Sequence, residues 1–257
     1  MDPAGSLTMP TLRDHLAREP YRLVMSSGFF GFFAHSGMLT ALESEGLAPA
    51  AVAGSSAGGL VGACYAAGLD AKQRNEVLRS LTRDQFWDPA PGPGLLRGER
   101  FRRKLEDVFP VHTFEACRIP LSLSAVDVLR RRVRVFSSGE LVPAVYATCA
   151  VPLLFHPIRH GSAWLTDGGV LDRPGLHGVP EGERVLYHHL ASRSPWRRKN
   201  DPALKIPERS NMRSLVLEGL PRVGPFRLEE GPRALDEAYE RTKRALDRVT
   251  TDPVVAG

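Results

Sequence analysis

Two successive strand–loop–helix units near the start of the chain constrain its fold more than any other feature. Residues 22–25 are predicted to form a first strand, followed by a glycine-containing loop and a helix over about residues 33–45. A second strand, at about residues 50–53, leads through a glycine-rich turn into a helix that ends near Gly68. Strands that alternate with helices in this way are typical of α/β proteins with a mostly parallel central sheet.

The rest of the chain continues this pattern without an internal repeat or a clear domain boundary. A loop rich in proline and glycine occupies residues 88–94. Strands are predicted at residues 120–127, 132–136, 185–189 and 214–217, and helices at residues 98–109, 141–149 and 232–249. We therefore expect an N-terminal extension over residues 1–19 and a single α/β domain over residues 20–257.

The composition supports a globular protein that folds without covalent or metal crosslinks. With 257 residues, of which 42% are hydrophobic, the chain can bury a substantial core. Its three cysteines are an odd number without CxxC spacing, which favours neither a disulfide framework nor a zinc site, and no cofactor is predicted. The longest apolar run, residues 150–155, is too short to span a membrane, and the N-terminus lacks the pattern of a signal peptide. A reducing, cytoplasmic location is expected.

The net charge of +5 is concentrated in one segment. Residues 191–213 contain seven basic and two acidic side chains, a balance equal to the net charge of the whole chain. Trp196 is the only aromatic residue among them, whereas nucleic-acid-binding segments usually interleave several, so nucleic acid is not a predicted partner. Two interpretations stay open: a solvated basic loop, or a peripheral contact with anionic membrane surfaces through Trp196 and its basic neighbours.

A G-x-S-x-G motif, with Gly54 and Gly58 on either side of Ser56, lies between the second predicted strand and its helix. A tight strand-to-helix turn exposes the serine hydroxyl, and the glycines remove side chains that would collide in so sharp a turn. The helix N-terminus that follows favours a developing negative charge. Ser56 is therefore a candidate nucleophile, the alternative being a glycine-rich turn that only packs a helix on a strand.

The candidate base for this serine is Asp167, which precedes Gly168 and Gly169 at the end of an apolar strand. A carboxylate held there could accept the serine proton directly, although Asp-Gly is also a common turn dipeptide. The histidines that follow it, His177, His188 and His189, lack the context of a catalytic triad.

The loop from Ser26 to Gly31 lies between the first strand and its helix. Successive backbone N–H groups in such a loop can bind one anion. Nucleotide binding is only weakly indicated, because the loop has no GK[ST] and lacks the first glycine of G-x-G-x-x-G. An oxyanion hole beside Ser56 is the better interpretation, since two successive units place both loops together. The neighbouring aromatic side chains either line an acyl-chain groove or pack the following helix: Phe29, Phe30, Phe32 and Phe33.

Together, the loop at residues 26–31, the G-x-S-x-G motif and Asp167-Gly-Gly resemble, in this order, the patatin-like phospholipase family. The segments at residues 136–139 and 147–152 match as well, so that the resemblance extends over about residues 20–220. It implies a three-layer α/β/α fold and a Ser–Asp dyad without a catalytic histidine. On this resemblance Ser56 is the nucleophile and Asp167 the base, and the oxyanion donors are the amides of Gly28, Phe29 and Gly31.

The predicted function is that of a lipid acyl hydrolase, of the phospholipase A or esterase type, which cleaves carboxylic esters of lipids through an acyl-enzyme. One alternative is a catalytically silent domain of the same fold that binds a lipid or a partner protein. The other is a serine esterase that depends on His177, His188 or His189.

Overall fold

The computed structural model describes residues 9–191 and 201–257, which contain seven α-helices and eleven strands. The helices are α1 (Leu12–Arg18), α2 (Phe32–Ser44), α3 (Ala57–Ala67), α4 (Ala71–Arg79), α5 (Glu99–Val108), α6 (Leu141–Cys149) and α7 (Gly231–Leu246). The strands are β1 (Arg22–Met25), β2 (Ala51–Ser55), β3 (Gly94–Leu96), β4 (Leu121–Asp127), β5 (Arg132–Phe136), β6 (Leu153–Phe155), β7 (Ile158–His160), β8 (Ala163–Asp167), β9 (Val185–Leu190), β10 (Met212–Leu217) and β11 (Val254–Ala256).

Nine of these strands form one central sheet in the order β11-β10-β9-β1-β2-β4-β8-β7, with β5 also paired to β4. The pairs from β11 through to β4 are parallel, whereas β5, β8 and β7 pair in antiparallel fashion. Strands β3 and β6 form a separate two-stranded ribbon. The prediction of a layered α/β fold with a mostly parallel central sheet is confirmed.

The two faces of the sheet are covered differently. On one face, Leu23 and Val52 join the main hydrophobic cluster, to which helices α2, α3, α5, α6 and α7 contribute. On the other face, Val24 and Ala53 pack in a smaller cluster with Leu176, Val179 and Ile206. Among the described residues this second cover is supplied by irregular chain and short 3₁₀ turns. The cavity described below lies among the helices that cover the first face.

Helix α3 lies directly on the sheet because its first turn consists of small residues. A Cβ added at Gly58 would lie 2.2 Å from the carbonyl oxygen of Met25 in the neighbouring strand β1. No real side chain tolerates such an approach, so only glycine permits it. The tight contact sets the position of the β2–α3 turn relative to β1 and to the loop that follows β1.

The segment before β1 packs on the domain. Leu12 and Leu16 of α1 are buried in the main cluster, and the Leu12 N–H donates to the Arg248 carbonyl at 3.0 Å. A capping box between Thr11 and Asp14 begins this helix. Among the helices in the described ranges, none has the length and apolar character required to cross a membrane.

Candidate active site

Ser56 occupies a strained turn between β2 and α3. Its backbone has φ +52° and ψ −122°, a conformation that residues with a side chain rarely adopt. Such strain costs of order 1–3 kcal/mol and persists where the surrounding structure enforces it, often at functional sites. The residue is buried, yet it borders a cavity.

Each motif glycine lies where a side chain would collide with this turn or its partner. Added Cβ atoms would fall 2.7 Å from the backbone of Gly58 or Gly59 at Gly54, and 2.1 Å from the Ser124 carbonyl oxygen at Gly168. At Gly169 the clash would be with the Ser27 hydroxyl, also at 2.1 Å. The glycines therefore allow the serine turn, the aspartate turn and the loop after β1 to meet at one edge of the sheet.

The Ser56 hydroxyl donates to the Asp167 carboxylate, with 2.6 Å between Oγ and Oδ2. Asp167 ends β8, whose pairing with β4 places it opposite Ala125. The other carboxylate oxygen, Oδ1, accepts the Gly169 N–H at 2.7 Å. The carboxylate is thus held on both oxygens and is oriented towards a hydroxyl 111 positions away in the chain. This arrangement suits direct transfer of the serine proton to the carboxylate.

Helix α6 supports the serine turn through two adjacent side chains. The Ser56 N–H donates to the Thr148 hydroxyl at 2.8 Å, and that hydroxyl donates to the Ser124 carbonyl at 2.6 Å. The Cys149 thiol donates to the Ser56 carbonyl at 3.3 Å. Burial, and next the charge of Asp167, raise the pKa of the Cys149 thiol well above its usual value. Cys149 therefore remains a neutral donor and does not compete as a nucleophile.

An apolar cavity of about 140 Å³ adjoins Ser56. Its walls come from α3, α4, α5 and the loop after β1. Phe29, Phe30 and Phe32 line it, whereas Phe33 is buried in a separate cluster with Leu235 and other residues of α7. The two interpretations of the aromatic run therefore apply to different rings: three face the cavity and one packs the helices together.

The amides of the loop after β1 differ in their availability. Gly28 and Phe29 border the cavity beside Ser56, and within the described residues the Gly28 N–H has no hydrogen-bond acceptor. Gly31 borders a neighbouring pocket, and its N–H already donates to the Gly28 carbonyl at 2.9 Å. The Ala57 N–H, at the start of α3, likewise lacks an acceptor in the described part of the chain.

The histidines lie elsewhere, and none borders the cavity among the described residues. His188 is fully buried and meets His35, with 2.8 Å between the two Nδ1 atoms. His189 is bonded to the Tyr187 hydroxyl at 3.2 Å, and His177 lies 3.3 Å from the Asp172 carboxylate. His35 was not singled out from the sequence, because its partner is 153 positions away and only the β1–β9 pairing brings the two together.

The basic segment at residues 191–213 is described only in part. Arg193, Trp196, Arg197, Arg198 and Lys199, on which the predicted membrane contact depends, lie outside the described residues. Arg209, farther along, donates to the carbonyls of Val179 and Leu176 and pairs with Glu181. This arginine therefore holds the cover of the second sheet face, a structural role.

Several known proteins are similar to this chain in sequence. A family model described as patatin-like phospholipase matches residues 23–179, more than half of the chain. An uncharacterized NTE family protein of Mycobacterium tuberculosis is 33% identical over 155 residues, which is 58% of this chain and 42% of that protein. The lysophospholipase NTE1 of Scheffersomyces stipitis is 27% identical over 164 residues, 61% of this chain and 11% of its own. The chain therefore spans less than half the length of these relatives.

The fold is also that of a solved structure. VipD from Legionella pneumophila superposes with a TM-score of 0.64 at 17% identity, covering 89% of this chain and 67% of that chain. The family model spans the loop after β1, the Ser56 turn and the Asp167 turn, which the structure brings to one edge of the sheet. The chain belongs to the patatin-like phospholipase family.

Proposed function

We propose that this protein is a lipid acyl hydrolase in which Ser56 is the nucleophile and Asp167 is its base. The observation that carries the proposal is the 2.6 Å hydrogen bond from Ser56 to Asp167, at a strained turn that borders an apolar cavity. Strain, a carboxylate partner and an adjacent apolar space are each found in proteins without catalysis. Their coincidence at one hydroxyl is what a serine hydrolase requires.

The reaction proceeds in two halves. The Ser56 oxygen attacks the ester carbonyl carbon while Asp167 accepts the hydroxyl proton; the alcohol then leaves with that proton, and an acyl-serine remains. A water molecule next gives a proton to Asp167 and attacks the acyl-serine, which releases the carboxylic acid and restores the serine hydroxyl. No histidine takes part in either half.

The negative charge that develops on the carbonyl oxygen is stabilised by backbone amides. The best placed are the N–H groups of Gly28 and Ala57, because both residues border the cavity with Ser56 and neither N–H has an acceptor among the described residues. The N-terminal end of α3 adds its dipole. Phe29 is proposed to line the site. The Gly31 N–H already donates to the Gly28 carbonyl, so its proposed role is to stabilise the turn of the loop.

The proposed substrate is a carboxylic ester of a lipid, consistent with the lysophospholipase name of one relative. We further propose that the protein acts in the cytoplasm and meets anionic membrane surfaces peripherally through the basic segment that begins at Arg193. Residues 20–257 are proposed to form the single catalytic domain. Neither a cofactor nor a nucleic acid enters the proposed reaction.

A panel of p-nitrophenyl esters and phospholipids, assayed with the wild-type protein, Ser56→Ala and Ser55→Ala, tests this function. Ser55 is the matched control because it is adjacent and fully buried, and its hydroxyl has no partner in the described residues. Hydrolysis by the wild type and Ser55→Ala, but not by Ser56→Ala, is expected. No hydrolysis of any ester, with lipid binding retained, would favour the catalytically silent domain instead.

A further inference from the structure

The cavity at Ser56 is elongated along helix α3. Ala57, Leu60, Val61 and Cys64 all border it, and their spacing of three or four positions places them on one face of the helix. With a rise of 1.5 Å per residue, this face extends about 10 Å from Ala57 to Cys64. The cavity therefore begins at the nucleophile and continues parallel to α3 for roughly the length of an extended octanoyl group.

The opposite wall is formed by α5 in the same way. Phe101, Lys104, Leu105 and Val108 repeat at helical spacing and all border the cavity. Phe101 packs against Phe155, with 5.7 Å between the ring centroids, in the segment that follows Cys149. Val108, near the end of α5, borders a second pocket together with Gly68 and Leu69, which follow the end of α3, so Val108 lies at the far end from Ser56.

At the far end, only one layer of side chains separates the cavity from the outer surface. Leu69, Val77, Lys104 and Val108 border both the cavity and this second pocket, an open groove between α4 and α5. Phe101 and Leu105 border the cavity alone. We call the four shared residues the end wall.

The chemistry of the end wall suits an apolar chain terminus. Lys104 is half-buried and borders both spaces, as expected when a lysine stem lies on apolar surface and its amine reaches water. Arg74, nearby, is almost fully buried, and its guanidinium donates to the Ser36 hydroxyl, the Leu69 carbonyl and the Glu43 carboxylate. Its donors are satisfied away from the cavity, so its contribution to the lining is also apolar.

We propose that the end wall determines which acyl chains this enzyme accepts: a single medium-length chain, of about octanoyl size, that extends from the ester carbon at Ser56 along α3 to Val77, Lys104 and Val108. This inference rests on the proposed function and names its substrate class. Each methylene that enters the cavity raises kcat/KM roughly fourfold, the value expected for burying one methylene. Longer acyl chains must displace the side chains of the end wall, so kcat/KM no longer rises with each added methylene.

The test is a series of p-nitrophenyl esters from acetate through butyrate, hexanoate, octanoate and dodecanoate to palmitate. Wild-type kcat/KM is expected to rise to octanoate and then fall at least tenfold by palmitate. Val77→Ala opens the wall towards the groove, so the optimum moves to dodecanoate. Val77→Phe narrows the far end and moves the optimum to butyrate or hexanoate.

Val111→Ala is the matched control, because Val111 loses the same atoms from a half-buried position that borders neither pocket. Its chain-length profile should equal that of the wild type. A wild-type profile that is flat to palmitate, or an optimum unchanged in both Val77 variants, would overturn the proposal.

Binding separates this proposal from the proposed reaction. If no ester is hydrolysed, the reaction fails, and displacement of a fluorescent fatty acid by octanoate, dodecanoate and palmitate still measures the cavity. The wild-type protein should bind octanoate more tightly than palmitate, and Val77→Ala should reverse this order. Equal affinities in both proteins would contradict the end wall even if catalysis is present.

Discussion

Two buried side-chain pairs lie near the carboxyl ends of the central parallel strands, and they differ in what surrounds them. Ser56 and Asp167 are joined at 2.6 Å, and His35 and His188 at 2.8 Å. The first pair borders an apolar cavity, whereas both histidines are fully buried and border neither this cavity nor the groove between α4 and α5. On the proposed function, burial and a short hydrogen bond do not by themselves identify a reactive group, and access to a substrate-sized space is what distinguishes Ser56 from the two histidines.

The protonation states of the histidine pair follow from its partners. His35 Nε2 lies 2.8 Å from the Ser26 carbonyl, which only accepts, so His35 carries its proton there and its Nδ1 accepts from His188 Nδ1–H. His188 Nε2 then has no proton, and it has no partner among the described residues. Burial lowers the pKa of His35 to about 3 and that of His188 well below its usual value. The pair is neutral and anchors the loop after β1.

The largest effect on ester hydrolysis is expected from a substitution in the Ser56–Asp167 pair. Ser56→Ala removes the nucleophile, and ester hydrolysis should fall by a factor on the order of 10⁶, as where nucleophile and base act as a unit. This loss is measured as the initial rate of hydrolysis of an octanoate ester. The control, Ser55→Ala, should hydrolyse that ester at a rate within about threefold of the wild type. Ser56→Ala activity within tenfold of the wild type would remove the first pair from the mechanism.

Asp167→Asn should cost about 10²–10⁴-fold in kcat, because the amide keeps the shape of the side chain but cannot accept the serine proton. Asp172→Asn is the matched control. Asp172 is equally buried, but it accepts the backbone N–H groups of Gly175, Leu176 and His177. That substitution should lower the melting temperature but change kcat little. Equal kcat losses in the two variants would show that Asp167 is structural.

Gly28→Pro removes one amide of the proposed oxyanion hole, and kcat should fall about 10²–10³-fold. Gly28→Ala keeps the N–H, although its Cβ would approach the end of the Leu190 side chain at 2.4 Å. The comparison of the two variants in kcat and melting temperature isolates the amide from the packing. If alanine and proline lower turnover equally, the donor must be sought elsewhere in the loop.

Changes in the histidine pair should have the smallest effect on catalysis and a clear effect on stability. His188→Ala is expected to keep kcat within tenfold at pH 8 while it lowers the melting temperature, because it removes a buried ring and leaves His35 Nδ1 without its donor. An exposed-site control, His177→Ala, should change neither quantity strongly. A loss in His188→Ala equal to that in Ser56→Ala would establish a histidine-dependent esterase.

The same pair predicts how stability depends on pH. The folded-state pKa values of His35 and His188 lie below the unfolded value near 6.5, so the unfolded chain binds more protons once the pH falls below about 6.5. The free energy of unfolding should therefore decrease with falling pH, by about 1.4 kcal/mol per pH unit for each histidine that stays neutral. Urea unfolding at pH 7, 6 and 5 measures this slope, and His188→Ala should reduce it. A slope unchanged in that variant would contradict the neutral pair.

The segments of the candidate site were easier to single out from the sequence than some elements of the surrounding fold. The turns at Ser56 and Asp167 depend on local glycine patterns beside strong strands, and the predicted strands and long helices are present. Helices α1 and α4 were not predicted, although capping boxes begin both, at Thr11–Asp14 and Asp70–Gln73. The ribbon of β3 and β6 joins two three-residue segments far apart in the chain, and no local periodicity could indicate that pairing.

Labelling with a fluorophosphonate, located by mass spectrometry, tests whether Asp167 activates Ser56 without a histidine. We expect the wild-type protein and His188→Ala to label on Ser56 at rates within tenfold of each other, Asp167→Asn to label at least a hundredfold more slowly, and Ser56→Ala not to label. Labelling of a different residue, or loss of labelling in His188→Ala with full labelling in Asp167→Asn, would rule out the proposed Ser–Asp pair.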